Sequence, residues 1–175
     1  MAIISANTMI RSLSLFHLTL AVALLKNPAL IANQGIVLVL GQSMQLPVPH
    51  DFSKPSAATA FLAVLFAFIG ISDLTSLSLH EQISDEYWGL QAPVRLLFLF
   101  GLTGYTYAFK EGGLFGATGV DFRASAGASL NNSIIFTWGF IEIGIWLWVY
   151  STLREERTAK ATIAAEKKAR EEKQL

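Results

Sequence analysis

The sequence predicts an all-α fold, a polytopic membrane bundle, and composition is the first reason. Of 175 residues, 53% are hydrophobic and 15% charged, against roughly 25% charged in an ordinary soluble domain. Mean hydropathy is +0.47. The second reason is that the apolar residues gather into runs of about 20, long enough at 1.5 Å per residue to cross about 30 Å of hydrocarbon. The third is the placement of charge. The 13 basic and 13 acidic residues cancel, but Arg154, Arg157, Lys160, Lys167, Lys168, Arg170 and Lys173 crowd the C-terminus. Cysteine is absent, which excludes disulfides, thiolate zinc sites and iron–sulfur ligation.

Four runs qualify as transmembrane helices: residues 4–25, 57–79, 92–109 and 132–153. The first contains "LSLFHLTLAVALL", which has the look of a secretory signal core, and is read as a retained span that stops at Lys26-Asn27-Pro28. Residues before Lys26 hold one arginine and no amphipathic basic face, so a mitochondrial presequence is not expected. The next stretch, "PALIANQGIVLVLGQSM" in residues 28–44, is interrupted by polar residues and reads as a short interfacial or re-entrant helix. "GQSMQLPVPHDFSKPS" holds three of the five prolines and reads as an extended, ordered loop. "HEQISDEYWGLQAP" reads as an acidic cytosolic loop, with Tyr87 and Trp88 at headgroup level. "KEGGLFGATGVDFRASAGASLNNS" is a flexible excursion, and its glycines follow no strand and precede no Gly-Lys-Ser/Thr, so they form no phosphate cradle. It ends in the glycosylation sequon Asn131-Asn132-Ser133.

Residues 1–153 thus make a transmembrane four-helix domain, and residues 154–175 a charged helical tail. Glu156–Lys160 and Glu166–Arg170 at i, i+4 support a helix continuous with the fourth span. Acids dilute the tail's positive charge throughout, which argues against nucleic-acid binding. Lys and Arg favour cytosolic flanks, and the tail's cluster outweighs Lys26, Lys54, Lys110 and Arg123 on the other side. Both termini are therefore expected in the cytosol. Passage of residues 29–44 through the membrane would reverse the N-terminus.

Arg11, Asp73, Arg95 and Glu142 lie within or at the edge of the apolar runs, two of each sign. An ionised group at mid-bilayer costs several kcal/mol, so such residues turn inward and find partners. The antiparallel arrangement of the second and third spans predicts an Asp73–Arg95 pair, leaving Arg11 with Glu142. Ser76 and His80 follow Asp73 at i+3 and i+7, on one helical face. Such a row does not converge as a nucleophile–base set must, and polar packing is its expected role. His80 with Glu81, Asp85 and Glu86 is read as solvated acidic loop in preference to a metal site. No catalytic, cofactor or metal residues are assigned. Ala60, Ala63, Ala67 and Gly70 form a small-residue stripe for close helix approach in lipid, and Trp138, Glu142 and Trp146 share one face of the fourth span as a packing surface.

"LLKN" after the first span, Leu46-Pro47, Asp73-Leu74, "PVRLL" at residues 93–97 and "E…W…Y…REE" at residues 142–156 occur here in one order. This combination resembles the fungal membrane protein family named for increased loss of mitochondrial DNA, over roughly residues 8–157. The resemblance implies a multi-pass protein of the endoplasmic reticulum without an established enzymatic activity. An effect on mitochondrial DNA would then be indirect, through lipid or protein supply. The leading expectation is a non-enzymatic subunit or assembly factor of an endoplasmic-reticulum complex, in lipid transfer or lipid homeostasis, touching membrane lipids and membrane-protein partners. The alternatives are an accessory transporter or channel subunit with a polar path at Asp73, Arg95 and Glu142, and a lipid-modifying enzyme using Asp73, Ser76, His80 and Glu81.

Overall fold

The computed structural model describes residues 4–116, 118 and 127–172. Among the described residues six α-helices follow one another: α1 (Ala6–Lys26), α2 (Ala29–Ala32), α3 (Gly35–Ser43), α4 (Ala57–Ser76), α5 (Glu81–Ala108) and α6 (Ser133–Glu172). Single 3-10 turns lie at His50–Phe52 and Ala128–Leu130, and no strand occurs among the described residues. Among the described residues three helices, α1, α4 and α6, are long and apolar enough to cross a membrane. The run expected as a fourth span, residues 92–109, falls in the C-terminal part of α5 and does not qualify, because Pro93, Arg95 and the run from Thr103 to Tyr107 dilute its apolar residues.

Local chemistry explains the boundaries. The Ser5 hydroxyl accepts from Thr8 N–H at 3.3 Å to open α1, and Pro28, which lacks an N–H, follows its last turn. Ser56 and Thr59 cap α4 reciprocally, Thr59 N–H donating to Ser56 Oγ at 3.1 Å and Ser56 N–H to Thr59 Oγ1 at 2.9 Å. The helix ends at Ser76, three residues before the expected limit of the span. There the hydroxyls of Thr75, Ser76 and Ser78 donate to the carbonyls of Ile71, Asp73 and Leu74, a competition that favours helix ends over helix interiors. His80 therefore stands outside α4 and shares no face with Asp73 and Ser76.

The expected acidic loop is helix instead. α5 begins at Glu81, directly after its N-cap His80, and carries acids in its first turns, where the helix dipole favours them. Pro93 lies inside it, where, lacking an N–H, it cannot donate to the carbonyl of Gly89 four residues back. Residues 29–43 form two short helices divided at Asn33-Gln34, because these polar residues and Gly35 interrupt the apolar run. α6 has 40 residues, about 60 Å at 1.5 Å each, so its turns after Lys160 run on beyond the bundle as the end of the tail.

Two closely packed pairs, α1 with α4 and α5 with α6, are joined by contacts of α6 with α1 and α3. The main core unites Ile10 and Leu13 of α1, Trp88 and Leu96 of α5, and Trp146 and Val149 of α6. Pro47 O accepts from Ser133 N–H at 3.0 Å, tying the proline-rich segment to the start of α6. Much of the glycine-rich excursion lies outside the described residues. At its end Asn131 is 3% exposed and its side-chain N–H donates to Phe109 O at 2.9 Å, so the amide that a glycan would occupy is engaged.

The small-residue stripe faces α1. A Cβ on Gly70 would stand 2.9 Å from Ser14 O and 3.0 Å from Leu18 Cγ, Ala63 is 1% exposed, and Ala60 and Ala67 are half-buried. Gly70→Leu combined with Ala67→Leu should separate α1 from α4, because overpacking costs about 1–3 kcal/mol and falls here against backbone. Steady-state abundance should drop severalfold, and a variant at normal abundance with unchanged melting in detergent would contradict this packing.

Candidate functional site

Four ionisable residues of the helices, His17, Asp73, Arg95 and Glu142, are drawn into the interior. α4 contributes Asp73, 2% exposed. Arg95 of α5 grips it with two parallel bonds, Nη1 to Oδ2 at 2.8 Å and Nη2 to Oδ1 at 2.7 Å. This fork-to-carboxylate geometry is the strong form of a charged hydrogen bond. The guanidinium also rests against two indoles, with Cζ 5.2 Å from the Trp88 ring centre and 4.7 Å from that of Trp146. The indoles stack on each other at 5.7 Å, and a desolvated cation gains from such aromatic faces.

Trp146 carries the network onward. Its Nε1–H donates to Glu142 Oε2 at 2.9 Å, and Glu142 Oε1 lies 2.8 Å from His17 Nε2. His17 and Glu142 side chains are each 3% exposed. The imidazole packs beside Phe66, whose edge meets Trp138 at 6.0 Å. His17 Nδ1 has no hydrogen-bond partner among the described residues. One continuous set of side chains therefore joins α1, α4, α5 and α6.

Glu142 is thus not paired with Arg11. Arg11 is exposed, while the buried face of α1 runs through Ile10, Ser14, His17, Ala21 and Leu24. Six residues separate Arg11 from His17, about 9 Å along the axis and well off that face. His17 was legible as the one ionisable residue on the i, i+3, i+4 apolar stripe of α1, a signal overshadowed by the formal charge of Arg11. Ser76 and His80 are not drawn in. Ser76 Oγ–H donates to the backbone carbonyl of Asp73 at 2.8 Å, and His80 is exposed.

A second polar cluster closes the end of the bundle near the tail. Lys160 Nζ binds Glu81 Oε1 at 2.7 Å and also Asp85 Oδ2. Arg157 donates to the carbonyl of Asp85 and lies where a Cβ on Gly89 would stand. Glu156 Oε1 accepts from Ala6 N–H at 3.2 Å, an anion at the N-terminus of α1 where the dipole favours it. The hydrogen bond from Lys160 holds the Glu81 carboxyl below its ordinary 4.5. Asp85 and then Glu81 hold the Lys160 ammonium above its ordinary 10.5.

A carboxyl with a depressed pKa stabilises above its unfolded value and loses that contribution as pH falls, and a raised ammonium loses its own as pH rises through the folded value. The clamp should therefore hold the tail fully between the ordinary values of 4.5 and 10.5, and give way as pH falls through the lowered carboxyl value or rises through the raised ammonium value. Exposed pairs contribute little and are screened by salt, so the readout is local. Lys160→Ala should speed amide exchange in residues 154–165 severalfold at pH 7, and leave the melting temperature unchanged. Equal exchange in both proteins at low salt would dismiss the clamp.

Residues 4–163 match the protein family described as increased loss of mitochondrial DNA protein 1. The chain belongs to this family. Its match includes the glycine-rich excursion and the first turns of the tail, beyond the residues that carried the resemblance. The chain is 28% identical over 171 residues to protein ilm1 of Schizosaccharomyces pombe, covering 92% of this chain and 94% of that one. It is 30% identical over 142 residues to protein ILM1 of Saccharomyces cerevisiae, covering 81% of this chain and 61% of the relative. The chain thus spans less than two thirds of the length of the budding-yeast protein. No solved structure matches. The buried network and the tail clamp both fall inside the range that matches the family.

Proposed function

We propose that this chain is a non-enzymatic integral membrane subunit or assembly factor of an endoplasmic-reticulum complex, serving lipid transfer or lipid homeostasis. Retention of mitochondrial DNA, which the family's description invokes, depends on it indirectly. The observation that carries this reading is the use made of the ionisable groups. Asp73, Arg95, Glu142 and His17 bind one another and two indoles. Side chains spent in this way hold helices in register. In topology, residues 92–108 of α5 complete four spans beside α1, α4 and α6, and α2 and α3 lie in one leaflet. The basic tail keeps both termini in the cytosol. Exposed Phe61, Val64 and Phe68 on α4 supply a bulky apolar face for acyl chains, and the remaining outer surface takes membrane-protein partners.

Purification of the native protein in a mild detergent, followed by identification of co-purifying chains, tests this directly. A stoichiometric membrane partner is expected, and a lone monomer filled with lipid would contradict the proposal. Ser76→Ala and His80→Ala should leave growth and mitochondrial genome retention near normal, because neither side chain holds another helix in place. A stable, normally located His80→Ala protein with null behaviour would transfer the role to chemistry at that residue.

A further inference from the structure

Two cavities of about 410 Å³ each share a wall at the end of the bundle away from the tail clamp, within the size range of small-molecule sites. The 28 residues of α5 set the two ends about 42 Å apart. Lys110 and Tyr107 line one cavity, Glu111 and Asn131 line the other, and Gln45 lines both. A cation and an anion thus face two adjoining spaces that meet at one neutral side chain.

The backbone singles out Gln45. α3 ends in a Schellman turn, in which Leu46 N–H donates to Gly41 O at 2.8 Å and Gln45 N–H to Gln42 O at 3.1 Å. Gln45 fills the left-handed position of that turn with φ 55°, where glycine is usual because a Cβ is crowded there. No other non-glycine residue has a positive φ among the described residues. Nothing internal offsets the strain, since the Gln45 side chain is exposed and makes no hydrogen bond among the described residues. Strain of this kind persists at ligand clamps, where the side chain is needed.

The charges define the ligand. Lys110 Nζ donates to Met44 O at 2.7 Å and lies 4.9 Å from the Tyr107 ring centre, and no carboxylate pairs with it among the described residues. An ammonium has three donors, so Lys110 retains N–H groups for an anion. Across the shared wall, Glu111, Gln45 and Asn131 present carboxylate and amide oxygens. Asn131 Oδ1 is buried and has no hydrogen-bond partner among the described residues. Those oxygens call for N–H donors. Leu114 lines the Lys110 cavity, and it and Phe115 are exposed, so apolar surface for acyl chains adjoins the cationic end. We infer that the paired cavities bind the phosphoethanolamine headgroup of a membrane phospholipid, phosphate toward Lys110 and ammonium toward Glu111 and Asn131, with Gln45 bridging them. A choline headgroup has no N–H to donate, and a serine headgroup sets a second carboxylate against Glu111. This names a lipid class for the lipid role proposed above and rests on that reading.

Native mass spectrometry of the full chain in detergent, with dioleoyl phosphatidylethanolamine or dioleoyl phosphatidylcholine added, reads this site. One ethanolamine lipid should bind, preferred over the choline lipid by about tenfold. Lys110→Met should weaken its binding by about tenfold, and Glu111→Gln should abolish most of the preference over choline. Gln45→Gly separates binding from folding. Glycine relieves the left-handed strain, so the lipid-free protein should melt about 2–4 °C higher, while lipid binding falls severalfold. Equal uptake of the two lipids, or full binding by Gln45→Gly, would overturn the inference. Displacement of the lipid by millimolar soluble phosphoethanolamine or inorganic phosphate would assign the cavities to a free phosphate and overturn the membrane-lipid source. A chain that purifies with a stoichiometric partner but ignores the ethanolamine lipid loses only this site. One that binds the lipid yet purifies alone keeps the site and loses the complex reading.

Discussion

Asp73→Asn and Arg95→Leu should each lower the level of the protein sharply, and the double variant should regain part of the loss. Asp73 is almost wholly buried and accepts two bonds from one guanidinium. Removing either partner leaves the other charged, desolvated and uncompensated, at a cost of about 3–5 kcal/mol. Arg95 retains partial relief after loss of Asp73, because its side chain is 24% exposed and still lies against Trp88 and Trp146. Arg95→Leu should consequently be the more damaging single change. In the double variant no lone charge remains, so the coupling energy should be favourable and of the order of 2 kcal/mol. The cycle is read as melting in detergent together with abundance in the cell. Strictly additive effects would show that the pair does not act as a unit.

The second large effect belongs to Glu142. Glu142→Leu orphans His17 Nε2 and Trp146 Nε1 at once, and each buried polar group left without a partner costs about 1–3 kcal/mol. Glu142→Gln should be much milder, since its carbonyl can still accept from Trp146 and its amide can donate to His17. His17→Leu should fall between them. Arg11→Ala should change nothing measurable, because Arg11 points outward. Melting followed by tryptophan fluorescence reports on the Trp88–Trp146 stack directly. Damage from Arg11→Ala equal to that from His17→Leu would reinstate the charge pair that the helix faces argue against.

These two cases separate what periodicity reveals from what packing decides. Asp73 and Arg95 are visible in the sequence because charge in an apolar run is costly and consecutive antiparallel helices are neighbours. The structure brings their side chains together, and adds the two indoles that hold the guanidinium from the sides. Trp88 was read as a headgroup anchor, since the segment before Arg95 looked like loop; it is instead one of the largest buried side chains. Its acidic composition masked the helix. Those acids find their meaning through Lys160, 75 and 79 residues away from Asp85 and Glu81.

The sequence by itself determined the all-helical class, the apolar segments, most helix starts and stops, and the continuity of the tail with the last span. Each depends on composition, 3.6-residue spacing or a capping side chain, all of which act within a few residues. Only the tertiary structure decided that Glu142 faces His17, that Gly70 lies against the Ser14 carbonyl, and that the tail locks the start of α5. Those outcomes depend on how far each helix is rotated about its axis and on which helices become neighbours. Rotation is set by the sum of many side-chain contacts across the bundle, and no stretch of sequence carries that sum on its own.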